Sequence, residues 1–295
     1  MIIIGENIHV IAKDVSVAIR ERNAKVIQGL AKEQTQSGAH YIDVNVGPMK
    51  KDTEETMKWL VNCVQEATNL PLSIDTMNPV AMEAGLKYCK KRAIINSASG
   101  KTESKAQMLP LAKKYKADVV ISVMTDKGMP AEVESKIESI METVSHANDL
   151  GIPNEDIWVD PIILPVSTAG EGQKLAVGNL EFIKILQDVL PGVKSTVGLS
   201  NISNGVPAHL RPILNRTYLV MLAKNGLYSA IADPLDEELM AFMKGDLPQI
   251  TDLIYRTMEG EEIDPSPLPQ KEAAYVKTAR VLMAQSLYSD AWLEI

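Results

Sequence analysis

The sequence is short of aromatic residues, cysteine, histidine, net positive charge and long apolar runs. Each shortage excludes something. Aromatics make up 4% of the 295 residues, with phenylalanine only at Phe182 and Phe242. Any core must therefore be assembled from Val, Ile, Leu, Ala and the 14 methionines. The two cysteines, Cys63 and Cys89, fall within expected helices and lack metal-ligand spacing. They read as reduced, buried thiols of a cytoplasmic protein rather than a disulfide framework. No apolar run approaches the roughly 20 residues of a membrane span. Met1-Ile2-Ile3-Ile4 meets Gly5-Glu6-Asn7 at once, too short a stretch for a signal peptide. A soluble chain with no membrane partner is expected. Thirty basic residues against 38 acidic ones leave a net charge of -8. That balance argues against a nucleic-acid surface, which needs clustered cations to neutralise phosphates.

The four histidines, His9, His40, His146 and His209, avoid the ends of the expected strands. There is no Ser-His-Asp order, no lysine at a strand end, no phosphate-binding glycine loop and no metal-ligand cluster, so no metal site is expected. Acyl transfer, Schiff-base chemistry and zinc hydrolysis lose their basis.

What is present is an alternation. Short β-branched runs end in polar residues and give way to helical periodicity. The expected strands are Ile2-Ile4, Tyr41-Val46, Leu72-Asp75, Ala93-Asn96, Asp118-Met124, Ile157-Asp160, Thr196-Ser200 and Ala230-Asp233. Helices are expected from Asp14 to Arg20, from about Asn23 to Gly38, and over Thr53-Ala67, Pro79-Tyr88, Lys105-Lys116, Pro130-Asp149, Asn179-Leu190, Ile213-Asn225, Glu237-Met243, Leu247-Met258 and Glu272-Tyr288. The polar stretch from Ser167 to Gly178, with three glycines, reads as a loop able to form a lid or rim. Eight strands alternating with helices over about 240 residues predict an α/β (β/α)8 TIM barrel. A single domain is expected, with the barrel over about residues 1-245 and a helical extension over about 246-295. A doubly wound sheet fits less well, because no glycine fingerprint follows an early strand.

In a barrel of this kind ligands sit at the C-terminal ends of the strands. Those ends carry Glu6 and Asn7, Asp43 and Asn45, Asp75, Asn96, Met124 and Thr125, Asp160, Ser200 and Asn201, and Asp233. Any one of them has a local explanation, since Asp, Asn and Ser favour turns and helix caps. Together they form a ring of carboxylates and carboxamides, costly to bury without partners. Such a ring suits a flat heterocycle with N–H donors and ring-nitrogen acceptors.

The segments Asp75-Thr76-Met77-Asn78, Ile95-Asn96-Ser97, Val159-Asp160-Pro161-Ile162-Ile163-Leu164-Pro165, Gly198-Leu199-Ser200-Asn201-Ile202-Ser203 and Leu214-Asn215-Arg216-Thr217 occur in that order at barrel spacing. The chain, from Gly5-Glu6-Asn7 to about Asp233, resembles the pterin-binding methyltransferases, specifically the methyltetrahydrofolate:corrinoid protein methyltransferases. The resemblance implies a pterin pocket at the top of the barrel and a homodimer formed through outer helices. It implies that Asp160 grips the aminopyrimidine end, with Asp75 and Asn96 on the ring nitrogens. Asn201 matches the carboxamide beside N5, the atom that carries the methyl group, and is the expected catalytic residue. Gly198, Ser200 and Asp43 would support the pocket, and Arg211 or Arg216 would match a pterin-contacting arginine. Tetrahydrofolate or methyltetrahydrofolate is then a substrate. Cobalamin would be supplied by a partner corrinoid protein, because the chain has no Asp-x-His-x-x-Gly motif to hold it. Dihydropteroate synthase, a more distant relative, and a non-catalytic folate-binding protein are the alternatives. The Lys-and-Arg arrangement usual for the synthase's pyrophosphate substrate is not evident here.

Overall fold

The computed structural model describes residues 1-47 and 52-294. Its centre is a closed barrel of eight parallel strands in sequence order. They are β1 (Ile2–Gly5), β2 (Tyr41–Asn45), β3 (Leu72–Asp75), β4 (Ile94–Ser99), β5 (Asp118–Ser122), β6 (Ile157–Asp160), β7 (Lys194–Gly198) and β8 (Ser229–Ala232). Around them run α1 (Lys13–Arg20), α2 (Ala24–Gln36), α3 (Thr53–Gln65), α4 (Pro79–Tyr88), α5 (Thr102–Tyr115), α6 (Val133–Asp149), α7 (Gly172–Val189), α8 (Arg211–Lys224) and α9 (Glu237–Lys244). Helices α10 (Pro248–Met258) and α11 (Gln270–Leu282) pack on each other and on α8.

The two faces of each strand part company as the period of two requires. Ile3, Ile42, Val44, Ile74, Ile95, Val119, Ile121, Ile157, Val159 and Val197 join the large core under the helices. Ile4, Ile94, Val120 and Trp158 form a separate apolar cluster with Ile2, Tyr41 and Ile231, the floor of the barrel interior. Below it, Trp158 meets Tyr41 and Tyr228 edge-on, and the Lys194 ammonium lies 5.2 Å from the Trp158 ring centre. Arg92 bridges Asp118 and Asp156 at 2.9 and 2.5 Å. The N-terminal mouth is thus plugged, and the polar residues lie at the other end.

Local chemistry accounts for several boundaries. Pro79 opens α4 where its missing N–H is harmless, and the Asn78 side chain accepts from the Val80 and Ala81 N–H groups. Asp236 does the same for α9, and Gly245 ends that helix at φ 80°. Asp14 does not cap α1; it lies in the first turn, after Ala12 at the N-cap.

Three elements depart further from the sequence reading. Strand β4 runs on to Ser99, with a register shift against β5 between Ile95 and Ala98 and a cis Asn96–Ser97 peptide. The glycine-containing stretch after Ser167 is not a loop to Gly178, because α7 begins at Gly172. Only Gly170 of its three glycines takes a positive φ; Gly172 is small because a Cβ there would collide with the backbone oxygens of Pro165 and Val166. Strand β7 starts earlier and ends at Gly198, so Ser200 and Asn201 lie on a 3-10 turn, Leu199–Ser203. Leu199 and Ile202 sink into the core and fix that turn.

Candidate active site

The register of the barrel sets the layers of the C-terminal mouth. Asp43 lies opposite Ser73, Asn45 opposite Asp75, Asp75 opposite Asn96, and Ser122 opposite Asp160. The inward side chains therefore pair across strands. Asp43 is buried and accepts from Ser73 Oγ at 2.6 Å and Asn96 Nδ2 at 3.1 Å. Asn45 Nδ2 donates to Asp75 Oδ2, and its own Oδ1 accepts from the Gly47 N–H at 2.7 Å. Asp160 Oδ1 accepts from the Ile162 N–H at 2.8 Å. On the opposite arc, Ser200 Oγ donates to Glu6 Oε1 at 2.5 Å, and Asn7 Nδ2 donates to Asp233 Oδ1 at 2.8 Å.

Burial outweighs these bonds. Desolvation raises Asp75 and Asp160 from 3.8 to about 6 and Glu6 from 4.5 to about 7. Asp43 rises well above the ordinary range, first through burial and then through the nearby Asp75 charge. Each carboxyl already accepts at least one hydrogen bond, and a ligand presenting further N–H groups would favour its ionised form.

Asn201 is exposed on its turn, where its Oδ1 accepts from Asn204 Nδ2 at 3.2 Å. A Cβ on Gly198 would lie 3.1 Å from Asn201 Nδ2, so glycine at the end of β7 leaves room for the amide. Arg211, the first residue of α8, donates to Ser203 Oγ at 3.3 Å and Asn204 Oδ1 at 3.4 Å, and its charge acts on Glu6. Arg216 is committed elsewhere, to Asp236 at 2.8 Å and Glu238 at 2.7 Å. Of the two arginines, Arg211 is the one beside the mouth. A cavity of about 290 Å³ lined by Glu6, Ser200, Arg211, Asn215 and Asp233 opens next to it.

Lys136 and Asn179 were missed in the sequence. Both are completely or almost completely buried, at 1% and 0% exposure, on α6 and α7 behind the Asp160–Ile162 segment. A signal was present: Lys136 interrupts the apolar stripe of Val133, Ile137, Ile140 and Val144, where a cation needs partners. Among the described residues, no group of three or more His, Cys, Asp or Glu side chains is arranged to hold a metal ion.

Fold and mouth together define a (β/α)8 barrel whose C-terminal end is lined by buried and half-buried carboxyl and carboxamide groups. Residues 15–233 match the family model described as pterin binding enzyme, and the chain belongs to that family. It is 33% identical over 242 residues to the methylcorrinoid:tetrahydrofolate methyltransferase of Eubacterium limosum, covering 81% of this chain and 88% of that protein. The methionine synthase of Mycobacterium tuberculosis is 28% identical over 209 residues, 68% of this chain and 18% of that much longer protein. Dihydropteroate synthase from Xanthomonas albilineans, solved with 7,8-dihydropteroate, superposes with a TM-score of 0.59 at 18% identity over 83% of this chain and 92% of that one. That likeness concerns the fold.

Proposed function

We propose that the protein is a methyltransferase moving a methyl group between N5 of tetrahydrofolate and the cobalt of a separate corrinoid protein. The observation that carries this reading is the set of inward carboxyl and carboxamide groups at the mouth, half-buried Asp75, Asp160 and Asn96 beside buried Asp43, in a chain 33% identical over 242 residues to a methylcorrinoid:tetrahydrofolate methyltransferase. A pterin offers further donors: an exocyclic amino group and ring N–H groups meet carboxylates, and Asn96 supplies both a donor and an acceptor. In this reading Asp160 takes the aminopyrimidine end, Asp75 and Asn96 the ring nitrogens, and Asn201 faces N5. Gly198 and Ser200 shape the turn that carries Asn201, and Arg211 holds that turn from α8.

The transfer is a displacement at the methyl carbon. From folate to corrinoid, the C–N5 bond breaks, its electron pair stays on N5 and takes up a proton, and cobalt(I) gives two electrons to the new Co–C bond. The reverse runs the same path and releases a proton. The name of the Eubacterium limosum relative supports the second direction as the physiological one. Charge develops at N5 along either path, so a donor positioned there lowers the barrier if its bond tightens in the transition state. Asn201 has no proton to surrender, so it orients N5 while the proton travels through neighbouring acids. We extend the proposal to a cytoplasmic homodimer, on the family resemblance.

The direct test is methyl transfer from methyltetrahydrofolate to free cob(I)alamin, followed by its absorbance. Turnover with saturation in folate is expected. Tight folate binding with no transfer would leave only a folate-binding protein, and condensation of para-aminobenzoate would move the protein to the synthase class.

A further inference from the structure

We propose that Lys136 and Asn179 are positioning residues that hold the Asp160–Ile162 segment in its ligand-receiving shape, so that Asp160 meets the pterin correctly oriented. This rests on the assignment of Asp160 to the folate ring under the proposed function. The geometry forms a closed set of bonds. Lys136 Nζ donates to Pro161 O at 3.1 Å and to Asn179 Oδ1 at 2.6 Å. Asn179 Nδ2 donates to Ile162 O at 3.1 Å. Ile162 N–H in turn donates to Asp160 Oδ1 at 2.8 Å. Two buried side chains from two helices thus tie down successive carbonyls of the segment whose amide orients the carboxylate.

The segment needs tying. Ile162 has a φ of 60°, the left-handed region, which a β-branched side chain occupies only when its surroundings impose it. Released, it relaxes towards an ordinary φ, and its N–H swings away from Asp160. The clamp also costs the fold something. A lysine and an asparagine with almost no exposure have been taken out of water, and a fold needing only stability gains as much from an apolar pair of similar volume. The ammonium has one further effect: it is a positive charge acting on Asp160, which favours the ionised carboxylate that an N–H donor requires.

The test is a binding cycle on the full-length chain with tetrahydrofolate as probe, comparing wild type, Lys136→Met, Asp160→Asn and the double variant. The Lys136→Met protein is expected to bind about tenfold or more weakly, the loss of a charged buried hydrogen-bond donor. In the Asp160→Asn background the same change is expected to cost less than about twofold to threefold, because the clamp acts through Asp160. Additive losses, or unchanged affinity in Lys136→Met, would overturn the clamp. Should Lys136→Met fail to fold, Asn179→Ala enters the same cycle with the same expectations. Absence of tetrahydrofolate binding by the wild type would instead sink the proposed function, so the two failures are distinguishable.

Discussion

Single side chains at the mouth divide into those that hold and those that act. Asp43 is spoken for, with Ser73 and Asn96 on one oxygen. Asn201 is the reverse: exposed, on a turn anchored by Leu199 and Ile202, with its amide clear of Gly198. That contrast gives Asn201 a distinctive expected signature. Asn201→Ala is expected to lower kcat/KM for methyl transfer by about a hundredfold, the usual cost of a lost transition-state donor. Tetrahydrofolate binding should weaken far less. Equal losses in both would reduce Asn201 to a binding residue.

At the scale of elements, the mouth depends on two connections that touch each other. The segment after β6 donates from Val166 N–H to Ile202 O at 2.9 Å, and Ser167 Oγ reaches Asn204 O at 3.2 Å. The β6 connection, which follows Asp160, therefore supports the 3-10 turn that carries Asn201. Gly172 is the weak point, because α7 begins pressed against the Pro165 and Val166 carbonyls. Gly172→Ala is expected to destabilise the fold by about 1–3 kcal/mol, the cost of overpacking against backbone. Pushing Val166 also disturbs Ile202, so methyl transfer should fall by more than the lost folded fraction explains. A urea titration read beside the activity of the folded protein checks both; unchanged stability would mean the carbonyls yield freely.

For the whole molecule, the acid ring predicts a pH dependence of stability with an unusual sign. Glu6, Asp75 and Asp160 have folded-state values raised by burial to about 7, 6 and 6. Between about pH 4, where such groups ionise in the unfolded chain, and those values, the folded protein holds more protons than the unfolded one. These acids should therefore lower the stability without folate as pH rises from about 4 to 7. They are opposed in the upper part of that window by His9 and His40, whose imidazoles burial holds low, and above about pH 8 by Lys136, which burial lowers to about 8. Exposed carboxylates held low by their partners, such as Asp126 and Glu261, act in the opposite sense and below that window. Glu6→Gln, which cannot ionise, should narrow the gap in melting temperature between pH 5 and pH 8 by raising the value at pH 8. An unchanged gap would show that Glu6 ionises in the folded protein as it does in the unfolded chain.

Much of this was legible in the chain itself. The alternation of β-branched runs and helical stripes named all eight strands, and Leu72–Asp75, Pro79–Tyr88 and Ile157–Asp160 match the structure residue for residue. They do so because period, proline position and polar stop signals are local. The ends of the strands were legible as a ring of Asp and Asn for the same reason. Tertiary structure alone decided the rest. Strand β7 slid two residues because its ladder with Trp158 and Val159 sets the register, leaving Ser200 and Asn201 on a turn. Gly172 read as flexible until the Pro165 and Val166 carbonyls came against it. The resemblance put Arg211 ahead of Arg216, and only the fold shows Arg216 tied to Asp236 and Glu238. Lys136 gave only a break in a stripe, since its partners stand 25 and 43 residues away. Periodicity is written in neighbours along the chain; pairing, charge balance and the pull of burial on a carboxyl group exist only once distant residues meet.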